Sequence, residues 1–295
     1  MSSVGSEINH VSDTAVLIAG CRAIEADRSD AFVRDPFAKR LAGERGLAMF
    51  HALPHPEIMG FGMAIRTKFV DELLLDGLAS AGVRTVLSVG SGLDTRPWRL
   101  ELPSDLKWIE VDLPAILDYK EELMAGETPR CRRERLTADL NDPIQRRAIY
   151  EAAGSAPALM ITEGLLMYLP GATVESLATE AQRDSSVAHW ISDVRTTSFT
   201  KAIGGNETSV VGHVQAQDHL EGEQILEAIY RNGWVTWARR SYITDLGFAR
   251  ERIGRMMAGQ AKPATPPAFV ADDPTGVHLF VRRQYRGGPV MNRST

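Results

Sequence analysis

Residues 85–96, TVLSVGSGLDTR, constrain this chain more than any other stretch. Val86, Leu87 and Val89 form an apolar, β-branched run that suits a strand covered on both faces, as in a parallel sheet. The run breaks into Gly90-Ser91-Gly92 and then into an acidic segment that starts a helix. Ligands of open α/β sheets collect at such strand ends. Glycine at 90 and 92 lets backbone approach a ligand with no Cβ in the way. The same glycines can serve turn geometry alone, and by itself the loop leaves both readings open.

A second apolar strand, in WIEVDLP at 108–114, ends at Asp112, which lies 112 − 92 = 20 residues after Gly92. That is the spacing of an acid that grips ribose hydroxyls. The pattern serves both nicotinamide dinucleotides and S-adenosyl-L-methionine. Here the third glycine of a dinucleotide fingerprint is missing, and the carboxylate of Asp94 would repel a pyrophosphate. S-adenosyl-L-methionine carries no phosphate, and its sulfonium and ammonium are positive, so an acidic loop suits it. It is the expected ligand, with a nicotinamide-dependent dehydrogenase as the runner-up.

Of the 295 residues 44% are hydrophobic and 24% charged, enough for a full α/β core with something added. The net charge of −5 and the lack of basic runs interleaved with aromatics argue against nucleic acid as partner and for a small molecule. Cys21 and Cys131 form no disulfide framework or metal spacing, which fits a reducing compartment. With no basic lead before its first apolar run and no long apolar span, the chain is expected to be cytoplasmic and off the membrane. Nothing in it speaks to oligomeric state.

In chain order, 12–26 carries apolar residues at helical spacing, and Asp35-Pro36-Phe37 opens a short helix that closes near Gly43. Residues 50–62, with prolines, glycines and two histidines, are expected to be a loop. His51 and His55 lie four apart, but Pro54 and Pro56 oppose a helix and no third ligand is near, so no metal is expected. Ile65, Phe69, Leu73, Leu74 and Leu78 make one helical stripe over 65–81. Arg66 would stand at the start of that helix, where the dipole disfavours a cation; it is either solvated or a clamp for a ligand carboxylate. A helix over 114–124 and a strand over 133–138 follow. Asp139 at that strand's end could accept from an adenine amino group or cap the next helix. A fourth strand at 156–161 runs into Glu163, which in a doubly wound sheet would face the Gly90–Gly92 loop. Strands at 187–193, 235–243 and 277–285 complete the sheet, the last two as an antiparallel closing pair. Residues 195–219, polar and weakly periodic, fit an inserted lid, and 262–267 is a Pro-bearing connector.

Taken together, RDPFAKRLAG, the run Arg66-Thr67-Lys68-Phe69-Val70-Asp71, GSGLDTRPWRL, IEVDLP, ADL and TEGLLMYLP resemble the leucine carboxyl methyltransferase-like family of S-adenosyl-L-methionine-dependent O-methyltransferases. The resemblance extends to the family's bacterial and polyketide-modifying members and covers most of the chain. It implies a class I Rossmann-like α/β fold, a seven-stranded, mostly parallel sheet with an antiparallel closing strand. It implies a helical cap over 1–64 and a methyltransferase domain over 65–295 carrying the lid. It also implies that Arg66 holds the methionine carboxylate, Gly90 lies under the ligand, with Gly92 and Asp94 in the same loop, Asp112 holds the ribose, Asp139 and Leu140 border the adenine, and Glu163 meets the amino group. Ser91 departs slightly from the family loop. The lid matches nothing in the family, so the acceptor is left as a small molecule, a carboxylic acid or polyketide. His51, His55, His213 and His219 are candidate bases should that acceptor need one. A sensor that binds the ligand without turnover is the rival from another class.

Overall fold

The computed structural model describes residues 11–80, 82–183, 185–203, 214–258, 270 and 272–283. Three helices, α1 (Val11–Ala26), α2 (Ala38–His51) and α3 (Pro56–Ser80), precede the sheet. Alternating strands and helices follow: β1 (Thr85–Val89), α4 (Arg96–Arg99), β2 (Lys107–Asp112), α5 (Pro114–Leu123), β3 (Arg132–Thr137), α6 (Pro143–Ala153) and β4 (Ala158–Thr162). Then come α7 (Gly171–Arg183), β5 (Val187–Val194), α8 (Thr197–Ala202), α9 (Gly222–Arg231), β6 (Trp234–Ser241), α10 (Arg250–Ala258) and β7 (Gly276–Arg282).

The seven strands order as β3-β2-β1-β4-β5-β7-β6, and β7 alone runs antiparallel to its neighbours. The order reverses between β1 and β4, so the ends of these strands open a crevice on the side of Gly90 and Glu163. Burial follows position in the sheet. Every residue of β1 and β4 is buried, whereas the edge strand β3, RRERLT, is charged and largely exposed, which discourages pairing with another chain. Successive residues point to opposite faces. Leu87, Ile109, Met160 and Trp190 pack with α6, α7 and α9, while Val86, Trp108, Leu159 and Ile191 pack with Phe69, Leu73 and Leu74 of α3.

Two readings of the N-terminal third need correction. Residues 50–62 are not a loop: α2 runs to His51, and α3 begins at Pro56. Proline suits the first turn of a helix, where its missing N–H has no partner in any case. Gly60 marks packing rather than a break, since a Cβ there would come within 3.2 Å of the Phe50 ring. Arg66 therefore sits well inside α3, and the dipole argument about its position lapses. The short helix from Phe37 does break at Gly43, where φ is 56°, but the chain resumes helix beyond it. The division at 64/65 falls within α3. Of the segment read as a lid, α8 is described; 204–213, with His213, and the connector at 262–267 lie outside the described residues.

Two long-range ties fix α1. Arg22 pairs with Asp35 (2.9 Å) and donates to Leu93 O (2.6 Å) in the loop after β1, and Asp35 also accepts from Thr95 Oγ1 (2.8 Å). From the other end of the chain, Arg252 of α10 pairs with buried Glu25 at 2.7 Å and lies over the rings of Phe32 and Phe61. Among the described residues no helix is long and apolar enough to cross a membrane.

Beneath α5 lies a buried charge cluster. Glu110 of β2 accepts from Lys120 Nζ (2.6 Å) and Arg133 Nε (2.7 Å), and both cations face the Trp98 ring. Neither Glu110 nor Lys120 has any side-chain exposure, so removing one leaves the other charged and unmatched, a loss of about 3–5 kcal/mol. Glu110→Ala is therefore expected to lower unfolding free energy by that amount in urea, and Glu110→Ala/Lys120→Met by clearly less. A single-variant loss below about 1 kcal/mol would show that the pair is solvated.

Candidate functional site

Beyond Val89 the chain turns back on β2. Gly90 N and Ser91 N both donate to Val111 O, at 2.8 and 3.0 Å. Gly90 adopts φ +66°, which favours glycine, and a Cβ there would lie 2.7 Å from Leu165 Cδ1, so a larger residue would also have to displace that side chain. Gly92 N donates to Asp112 Oδ2 and Leu113 N to Asp112 Oδ1, each at 2.7 Å. The acid expected from the twenty-residue spacing is thus tied to the glycine loop by a direct bond. No cation pairs with Asp112 among the described residues. Burial dominates its ionisation and raises its pKa against the two backbone donors.

Around this loop the charged side chains form one lattice. Glu163, just past β4, gives one oxygen to each of two arginines: Oε1 to Arg66 Nε (3.0 Å) and Oε2 to Arg96 Nη1 (2.8 Å). Arg96 also contacts Asp94 (3.0 Å) and Asp71 (2.6 Å), and Asp71 takes two bonds from Arg99 at 2.6 and 2.8 Å. Asp193, near the end of β5, accepts from Gly164 N (2.6 Å) and faces Arg66 Nη1 at 3.7 Å. Gly164 leaves room for this: a Cβ would stand 2.9 Å from Arg66 Nη1. Burial alone would raise the Asp94 carboxyl, but Arg96, with Lys120 and Arg99, holds it down at about 2. Glu163 is likewise buried and is held below the usual range by Arg96 and Arg66.

One cavity joins these groups. Arg66, Gly90, Gly92, Asp94, Asp112 and Glu163 all line it, closed on one side by Thr14, Ala15, Ile18 and Arg22 of α1. Three polar atoms on its lining residues, Ser91 Oγ, Arg96 Nη2 and Arg99 Nε, are buried without a hydrogen-bond partner among the described residues. Asp139 and Leu140 are not among the lining residues. They follow Ala138, whose N–H donates to Asp112 O at 3.1 Å, so they stand beside Asp112 at the same edge of the sheet. Asp139 does not cap α6: its Oδ1 accepts from Asn141 N (2.9 Å), and the cap is Asp142, which accepts from Ile144 N and Gln145 N.

His51 ends α2, His55 lies in the turn before α3, and His219 Nδ1 is 2.7 Å from Ala216 O; none of the three lines the cavity. Among the described residues no cluster of histidine, cysteine or carboxylate side chains could hold a metal. Sequence reasoning did not single out Arg96, Arg99, Asp71, Asp193 or Tyr168. Arg96, Arg99, Asp71 and Tyr168 lay inside quoted motifs, but no periodicity relates residues on α3 and α4.

The family model described as leucine carboxyl methyltransferase matches residues 15–182. A Streptomyces avermitilis protein provisionally named an S-adenosyl-L-methionine-dependent methyltransferase is 37% identical over 184 residues, 59% of this chain and 65% of that protein. A Mycobacterium tuberculosis protein with the same provisional name is 36% identical over 186 residues, 57% of this chain and 61% of its own length. The chain thus spans just under two thirds of the length of these relatives. A Thermobifida fusca structure provisionally called a methyltransferase shares the fold at TM-score 0.53 and 16% identity, covering 94% of this chain and 95% of that one. A DUF574-family protein from Streptomyces avermitilis does so at 0.52 and 14%, covering 90% and 96%. The matched segment runs from α1 through most of α7 and takes in the glycine loop, Asp112, Glu163 and the arginines between them, and on that ground the chain belongs to the leucine carboxyl methyltransferase family.

Proposed function

We propose that this protein is an S-adenosyl-L-methionine-dependent O-methyltransferase whose acceptor is the carboxylate of a small molecule. The observation that carries the reading is the state of Asp112. Both its oxygens are anchored by backbone N–H groups, yet among the described residues no cation pairs with it, so its remaining lone pairs are available at the cavity wall. A ribose diol supplies the matching donors. The four guanidinium groups lining the cavity, those of Arg22, Arg66, Arg96 and Arg99, already have carboxylate partners, so a dinucleotide would add a pyrophosphate among carboxylates, whereas S-adenosyl-L-methionine brings one carboxylate together with an ammonium and a sulfonium.

S-adenosyl-L-methionine, when bound, supplies a methyl group made electrophilic by a positive sulfur. The chain's own residues bind and orient. Arg66 takes the methionine carboxylate, Glu163 the ammonium, and Gly90 lies beneath the ligand. Gly92 and Asp94 hold the loop in place, and Asp139 and Leu140 border the adenine beside Asp112. The unpartnered Ser91 Oγ and Arg96 Nη2 fit a polar ligand. An acceptor carboxylic acid with a pKa near ~4 arrives ionised at neutral pH, so no general base is required. His51, His55 and His219 do not line the cavity, and His213 lies outside the described residues. Alignment of oxygen, methyl and sulfur is then the main demand, and proximity and orientation can supply on the order of 7–11 kcal/mol. Incubation of the full chain with S-adenosyl-L-methionine and a panel of small carboxylic acids is expected to release S-adenosylhomocysteine together with a methyl ester. Tight binding of NADH with no heat from S-adenosyl-L-methionine would replace the reading with the dehydrogenase.

Two further outcomes are expected. Asp112→Asn removes hydrogen bonds to a charged acceptor, typically about 1.5–3 kcal/mol, so S-adenosylhomocysteine affinity by calorimetry should fall about tenfold or more. In the parent, affinity should also fall with falling pH, because protonation removes the acceptor, and should begin to do so above the pH where an ordinary aspartate titrates, since burial raises Asp112. The variant should lack this limb, and an unchanged limb would assign it elsewhere. In single-turnover methyl transfer, His51→Ala, His55→Ala, His213→Ala and His219→Ala should each cost less than about tenfold. A loss of about a hundredfold in one of them, with cofactor affinity intact and a limb near ~6.5 gone, would install a histidine base.

A further inference from the structure

Arg195 differs from the other arginines around the site. It follows β5, two residues after Asp193, and among the described residues it pairs with no carboxylate within 4.0 Å, whereas Arg22, Arg66, Arg96 and Arg99 all do. Its one hydrogen-bond contact is weak, from Nη2 to Met167 Sδ at 3.6 Å, and Met167 precedes Tyr168, which lines the cavity. Tyr242 comes to the same corner from the end of β6. Its ring stacks on Phe69 at 6.0 Å, one turn along α3 from Arg66, and lies 6.1 Å from Phe199 of α8, four residues after Arg195. The Tyr242 hydroxyl is buried and has no hydrogen-bond partner. A buried hydroxyl without a partner carries a desolvation cost that a ligand can relieve.

We infer that Arg195 and Tyr242 form an anion-selective subsite for the methyl acceptor, giving two guanidinium N–H donors and one phenol O–H donor to an acceptor carboxylate. This rests on the methyltransferase reading above. The donor set suits that ligand: a planar fork matches carboxylate geometry, and a phenol adds a third, neutral donor. Burial, reinforced by Asp193 and Glu163, keeps the phenol protonated far into the alkaline range, so it remains a donor. Arg195 is free to take an external anion because, among the described residues, no carboxylate within 4.0 Å competes for it. Arg66, assigned above to the methionine carboxylate, is already faced by Glu163 and Asp193 and is not available to a second anion.

The test is calorimetry on the full chain saturated with S-adenosylhomocysteine, titrated with acid and amide pairs of equal shape: benzoate and benzamide, phenylacetate and phenylacetamide, octanoate and octanamide. At least one acid is expected to bind about tenfold or more tightly than its amide. Arg195→Gln should abolish that preference and leave amide binding unchanged, Tyr242→Phe should weaken the acid severalfold, and both should keep S-adenosylhomocysteine affinity within about twofold. If Arg195→Gln does not fold, Arg195→Lys, which keeps the charge and loses the fork, should retain part of the preference, and Tyr242→Phe gives an independent reading. The inference is overturned if no acid in the panel is preferred to its amide, or if the preference survives both Arg195→Gln and Tyr242→Phe. Failure of the parent to bind S-adenosylhomocysteine at all would instead sink the methyltransferase reading.

Discussion

The two oxygens of Glu163 go to two different arginines, one from a helix that precedes the sheet and one from the helix that follows β1. Much of the site's geometry hangs on that division. Through Arg66 it holds α3 against the end of β4, and through Arg96 it holds the start of α4 and, by way of Asp94, the glycine loop. Asp71 closes the circuit back to α3 by binding Arg96 and Arg99. Charges this deeply buried persist only when each has a partner, and here the partners come from separate elements, so the lattice sets their relative positions as well as neutralising them. It also bears on the ligand. A group that reaches Glu163 or Arg66 exchanges one charge-assisted bond for another, and the affinity gained there is a difference rather than a sum.

What the sequence made legible was local or periodic. The continuous apolar runs of β1 and β4 announced central parallel strands, and the twenty-residue interval placed Asp112 where its carboxylate meets Gly92 N. The order of strands around the switch point put Glu163 opposite the loop. These inferences succeed because one backbone rule, the parallel crossover, fixes where strand ends meet. The start of α3 was not legible. Pro54, Pro56, Gly60 and Gly62 are the residues of a loop, and only the Phe50 ring against Gly60 shows why a helix passes there. Local chemistry was outvoted by packing.

The lattice was illegible for a different reason. Which acid Arg96 would choose among Asp71, Asp94 and Glu163 depends on three elements meeting, and a charge in a sequence carries no address for its partner. Asp139 shows the converse. Both roles considered for it were reasonable at the end of a strand, yet the helix cap went to Asp142, where the proline at the first helical position sets the phase.

The wall of the cavity built by α1 has a consequence for how the protein comes to be made. Arg22 anchors to Leu93, 71 residues farther on, and Glu25 is gripped by Arg252, 252 − 25 = 227 residues after it. Neither anchor exists when α1 leaves the ribosome, so α1 can pack on α2 before it is tied to the loop after β1 or to α10. Contacts of such long sequence separation cost loop closure before they contribute, which places them late in folding. The wall that α1 lends the cavity therefore gains its second tie only after Arg252 has been made. A nascent chain that already contains the glycine loop and Asp112 can hold that wall through Arg22 but not yet through Glu25.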